Sequence, residues 1–266
     1  MAYLSSLSTR DLNILEKIQD PEFDPSQTVQ VDSSLPKDPN VQNITEYESI
    51  AAEEKRIILA VQQAELQLAG LRPRTNTNPV DAYKECLAGL GTLLSSNPSY
   101  GSARNNRAQA SRRLYGDGML VAGVEPSDNP LIVGGDRDER LSAAGQALSD
   151  LETCISLLSP TSPHARLSPH AAKTLSLAHT QRAAIYHQTS KMLARGGELD
   201  VDPARREASW KRLDFEEAAS MDFALGGRYG NEIAKGLAVS TNPTAKLCGQ
   251  MVREAMKKEY GPAFGG

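Results

Sequence analysis

The sequence predicts an all-α fold: a right-handed superhelix of three helical hairpins, closed by a C-terminal capping helical segment. Three observations predict it. Amphipathic stretches of helical length recur along the chain, and the breaks between them carry proline. Within Tyr100–Leu114 the small residues Ala103, Ala108 and Ala110 recur, and Ala103 and Ala110 lie two turns apart on one face, so a neighbouring helix can approach closely. The composition agrees, with 39% apolar and only 5% aromatic residues, so alanine must supply much of the packing, and that suits helix–helix contacts.

The elements follow in order. Residues 9–19 carry Leu12, Ile14, Leu15 and Ile18, with Thr9 to cap a short helix that Phe23 extends in apolar content; it either docks on the array or frays. Asp20–Asn43 is rich in Pro, Asp and Ser and reads as a linker. Residues 1–44 are therefore expected as a short helix and flexible linker. Thr45 with Glu48 forms a capping-box pattern that opens a helix to Leu71, with Ile57, Ile58, Val61, Ala64, Leu66 and Leu68 on its stripe. A second helix, Pro79–Ser95, carries Tyr83, Cys86, Leu87, Leu90, Leu93 and Leu94 and stops at Asn97-Pro98, closing repeat one at about 45–98.

Repeat two, about 99–160, opens with Tyr100–Leu114. Tyr115–Asp138 then interrupts it with many glycines and an apolar knot, Leu131-Ile132-Val133, and reads as an inserted loop before the helix Glu139–Leu158. Repeat three, about 168–222, comprises Pro169–Leu193, a second insertion Ala194–Pro203, and a returning helix Ala204–Met221. Two capping helices over 223–259 follow, Phe223–Leu237 and Pro243–Glu259. Proline suits the first turn of the latter, and terminal helices of a solenoid cover its last apolar face. Residues 260–266 read as a flexible tail, and Gly265-Gly266 lacks any β-grasp sequence before it.

Charge and cysteine usage narrow the function. The net charge of −4 carries no basic footprint for nucleic acid. Met1–Leu15 contains Arg10 and Asp11 and no long apolar run, so neither a signal peptide nor a membrane span is expected there, and no membrane partner. The three cysteines, Cys86, Cys154 and Cys248, are far apart and odd in number, and they fit reduced helical positions better than disulfides or a zinc site. A cytoplasmic location, with the nucleus as a second compartment, is the expectation.

Several pieces then occur in a fixed order: Asn105-Asn106-Arg107-Ala108-Gln109, Asp150-Leu151-Glu152 with Cys154-Ile155, Gln181-Arg182-Ala183, Asp214 to Ala219, and Asn242-Pro243-Thr244-Ala245-Lys246-Leu247-Cys248-Gly249-Gln250-Met251. In this the chain resembles the tetratricopeptide repeat protein 36 family, with enlarged loops, from about Ile57 to Lys257. The resemblance implies a TPR-like fold without catalysis, an Hsp70-interacting co-chaperone role, and a link to tyrosine breakdown. A protein-binding adaptor is the main expectation. A regulator stabilising an enzyme of tyrosine catabolism is the alternative, and an enzyme built on the inserted loops is a third.

Some three-repeat arrays grip acidic chaperone tails with a two-carboxylate clamp of Lys, Asn and Arg. Here Asn106 falls at the repeat-two Asn. The repeat-one positions fall on Ala60 and Ala64, those of repeat three on Leu177 and Gln181, and Arg182 stands one residue out of register. The clamp is incomplete. By analogy the protein-binding groove is assigned to Asn106, Arg107, Gln181 and Arg182. No catalytic residue, cofactor or metal is expected. His179 and His187 lie about two turns apart, too far for a helical metal pair. Gly226-Gly227-x-x-Gly230 and Gly116-x-Gly118 lack the strand and Lys-Ser/Thr of a phosphate loop, and Glu216 and Glu217 do not share a helix face.

Overall fold

A computed structural model describes residues 29–73, 78–125, 129–162 and 165–260. The expected helix over 9–19 and the tail 261–266 lie outside them. Among the described residues the fold is all-α apart from one ribbon of two two-residue strands. Among these described residues eight α-helices follow one another: α1 Ile44–Leu68, α2 Pro79–Ser96, α3 Gly101–Tyr115, α4 Arg137–Leu158, α5 Pro169–Ala194, α6 Arg212–Arg228, α7 Glu232–Thr241 and α8 Pro243–Tyr260. Each packs on the next in chain order, and α3 also touches α5. No helix among the described residues is long and apolar enough to cross a membrane.

Local chemistry sets the helix starts. The Asn43 carboxamide oxygen accepts from the amides of Thr45 and Glu46, so α1 begins one residue before the expected Thr45 cap. Asn78 caps α2 and Ser168 caps α5, each followed by proline at the first helical position. Asn242 accepts from Ala245 N at the start of α8. Small residues work as expected in α3: Ala103 and Ala108 are fully buried and Ala110 nearly so. At Gly101 a Cβ would lie 2.9 Å from a Leu158 methyl, so the α3–α4 approach depends on the missing side chain.

The two insertions meet. β1, Val121–Ala122, pairs antiparallel with β2, Glu198–Leu199, in the register Val121↔Leu199. The apolar knot docks where α3 ends: Leu131 N donates to Arg113 O and Ile132 N to Leu114 O. Those two carbonyls would otherwise be left without helical partners.

Two expectations are corrected. Residues 204–211 are not helix but enter a 3-10 turn, Arg206–Ser209, because Glu207 is drawn into a fully buried hydrogen-bonded site. Helix α6 then runs unbroken through Met221–Phe223 to Arg228, and the break falls at 229–231, where Gly230 adopts a φ of +104°. The second correction concerns the linker. Residues 29–43 form a strap. Val29 N donates to Arg228 O, Asp32 N to Leu167 O, and Leu167 N to Gln30 O. The Asn40 amide reaches Leu157 O, Ser168 Oγ reaches Lys37 O, and Val29 and Val41 are buried. The strap is polar in composition, yet its backbone groups find partners at the start of α5 and the end of α6, and the Asn40 side chain one at the end of α4.

Candidate functional site

The four groove residues assigned from the sequence lie on α3 and α5, and all are engaged within the molecule. Asn106 Nδ2 donates to Glu54 Oε1 at 2.7 Å. Glu54 comes from α1 and is buried, and its other oxygen accepts from Tyr100 OH at 2.7 Å. Burial first, and then the Glu54 charge, push the Tyr100 hydroxyl far above the ordinary phenol range. The amide expected to face an acidic ligand therefore already holds a carboxylate.

Arg107 clamps Asp150 of α4 with two bonds, Nε to Oδ2 at 2.6 Å and Nη2 to Oδ1 at 2.7 Å. Arg104 adds a third at 3.2 Å, and the Asp150 side chain is wholly buried. On the next helix pair Arg182 repeats the arrangement against Asp222 of α6, at 2.6 and 2.8 Å. His179 Nδ1 meets the same carboxylate at 2.8 Å and stacks on Tyr229. Burial alone would raise the Asp222 carboxyl; the bonds from Arg182 and His179 outweigh it and hold the group below its usual range. Gln181 is buried, and its Nε2 reaches Asn105 Oδ1 at 2.8 Å, tying α5 to α3. These residues are struts between neighbouring helices.

Sequence reasoning missed two further clusters. Glu207, fully buried, accepts from Tyr186 OH at 2.7 Å and from Arg205 Nε at 3.0 Å, and Arg205 also reaches Glu152 of α4. Burial raises the Glu207 carboxyl, and the Tyr186 and Arg205 bonds more than reverse this, leaving it below the usual range. Arg206 lies over Trp210 at 5.3 Å. In the other cluster Asp200, just after β2, takes Arg137 at 2.6 Å and Arg140 of α4. Arg140 also donates to Met119 O at 2.7 Å, so a single arginine fixes both insertions. No local pattern announces either cluster. The only available signal was the density of Arg and Glu around 205–207 in a stretch otherwise read as helix.

A cavity of about 390 Å³ lies under the first insertion, walled by Val121, Val124, Ile132, Val133 and Met192, with Tyr115, Glu125 and Arg140 as polar lining. Tyr115 OH is bonded to Glu139, and Arg140 to Asp200. His179 and His187 do not meet: the first is bound to Asp222, the second sits edge-on to Phe223. Burial pushes the Cys86 thiol to about 11 and the Cys154 thiol to about 12, so neither is a nucleophile at neutral pH. Cys248 is exposed. Among the described residues no group of three or more His, Cys, Asp or Glu is placed to hold a metal.

No family model matches the chain, and no solved structure matches it. A curated relative does. The L-tyrosine degradation gene cluster protein hmgX of Aspergillus fumigatus is 34% identical over 259 residues, a span covering 96% of this chain and 93% of that protein. The match extends over nearly the whole of both proteins, and the chain belongs to the family of that protein.

Proposed function

We propose that this chain is a non-catalytic protein-binding adaptor that stabilises an enzyme of tyrosine catabolism. The observation that carries the reading is its end-to-end relationship to a protein named for an L-tyrosine degradation gene cluster. The resemblance to the tetratricopeptide repeat protein 36 family points the same way, and with it we propose that the helices form a right-handed TPR-like superhelix acting in the cytoplasm. The buried carboxylates Asp150, Asp222 and Glu207 are each met by arginine, an arrangement that holds helices in place.

The test is reconstitution. The purified full chain is mixed in turn with each enzyme of tyrosine breakdown, and binding and the enzyme's inactivation half-life at a fixed temperature are measured. Binding to one of them, with a half-life lengthened several-fold, is the expected result. Turnover of a tyrosine-derived intermediate by the chain alone, or binding to none of the enzymes, overturns the proposal.

The second reading is an Hsp70-interacting co-chaperone. With Asn106 bonded to Glu54, such contact would have to use a mode other than the carboxylate clamp.

A further inference from the structure

A groove of about 650 Å³ opens between the start of α5 and the turn joining α6 to α7. Its walls include Val29, Val31, Ala172, Leu177, Tyr229 and Ile233. Three of these are large apolar side chains left open to water: Val31 at 57%, Leu177 at 39% and Ile233 at 77% exposure. Their gathering in one depression marks a seat for an apolar partner.

We propose that the occupant is the segment 12–23 of this same chain, seated through Leu12, Leu15, Ile18 and Phe23. The strap makes the argument. Val29 is itself part of the groove wall, and its amide is tied to Arg228 O, so the chain enters the fold at this groove. Phe23 stands six residues before Val29 and Ile18 eleven, so an extended connection reaches roughly 20 Å from the first and farther from the second. Leu12, Leu15 and Ile18 recur at helical spacing and form one stripe. A tether this short holds the segment at an effective concentration on the order of millimolar. An outside helix of equal affinity does not reach that level, so the segment in cis takes the groove first, and any partner using this face must displace it.

The experiment uses the full chain with Cys248→Ser and Ile233→Cys, which places a single accessible thiol in the groove, since Cys86 and Cys154 are buried. Maleimide labelling of that thiol is compared with the same chain carrying Leu12→Asp, Leu15→Asp and Ile18→Asp. Labelling about tenfold slower in the chain with the native segment is expected; equal rates overturn the proposal. Position 233 is already exposed, so the fold tolerates the change, and unchanged far-ultraviolet circular dichroism verifies this. A second arm adds Gln19→Cys and a short bismaleimide. An intrachain link whose yield is independent of protein concentration supports the proposal. A link between two chains, or no link, overturns it.

Discussion

Asp222 and Asp150 are carboxylates buried where only paired donors make them tolerable. Removing one partner of such a pair leaves an uncompensated charge, which costs about 3–5 kcal/mol. Arg182→Ala is therefore expected to lower the unfolding free energy measured by urea titration by an amount of that order, and Asp222→Asn paired with Arg182→Met to recover part of it. The pH dependence has a definite sign. Asp222 and Glu207 titrate lower in the folded chain than in the unfolded one, so their contribution is complete above about pH 4 and drains away as pH falls through their depressed folded values. His187 acts earlier. Burial first, then Lys191, lowers its folded value, so the unfolded chain takes up the proton first and stability begins to fall below about pH 6.5. Urea midpoints across pH 3–8 should show both steps, with His187→Gln deleting the upper one; a flat profile would disprove the assignment. Asn106 carries a related expectation. Its bond to buried Glu54 is worth about 1.5–3 kcal/mol, so Asn106→Ala should lower stability, while the unmodified chain shows no micromolar heat of binding with an acidic chaperone-tail peptide in calorimetry.

At the scale of elements, the two insertions are one substructure held by Asp200. Asp200→Ala removes the acceptor of both Arg137 and Arg140, and limited proteolysis should then cut within 116–136 and 195–205 while the helices stay protected. Unchanged cleavage in those segments would mean that the ribbon and the knot hold without the arginines. The contrast with the helices shows what a sequence can reveal. The starts of α2, α5 and α8 were readable because a cap residue followed by proline is local chemistry, written in two adjacent letters. The α3 contact surface was readable because small residues at two-turn spacing declare it. The 3-10 turn at 206–209 was not, because Glu207 leaves the helical pattern only to meet Tyr186, 21 residues away. The internal partners of the groove residues were hidden for the same reason. Arg107 and Arg182 look like ligand residues until Asp150 and Asp222, 43 and 40 residues on, are brought to them.

For the whole molecule, the strap and the last helix make opposite contributions, although sequence reasoning placed the first among linkers and the second among covers. The strap bonds to residues at the ends of α4, α5 and α6 before feeding α1, and so joins the first helix to the sixth. Helix α8 touches α6 and α7 only sparsely, with Lys246 near Glu216 at 3.4 Å, and leaves Leu247, Met251 and Val252 more than half exposed. In a stack where each helix packs on the next, cooperativity depends on contacts that bypass the neighbour-to-neighbour order. Deleting residues 242–266 should therefore leave a single sharp urea transition with a nearly unchanged midpoint. Replacing Val29 and Val41 by Ser should lower the midpoint and broaden the transition, as the α1–α2 end melts apart from α5–α7. Buried Cys86 on α2 and Trp210 beside Phe215 report on the two ends, so Cys86 labelling read by peptide mass and the fluorescence of the single tryptophan should give coincident transitions in the native chain and separated ones in the strap variant. Coincident transitions in both would place the cooperativity in the Gln181–Asn105 and Arg107–Asp150 struts and reduce the strap to a surface segment.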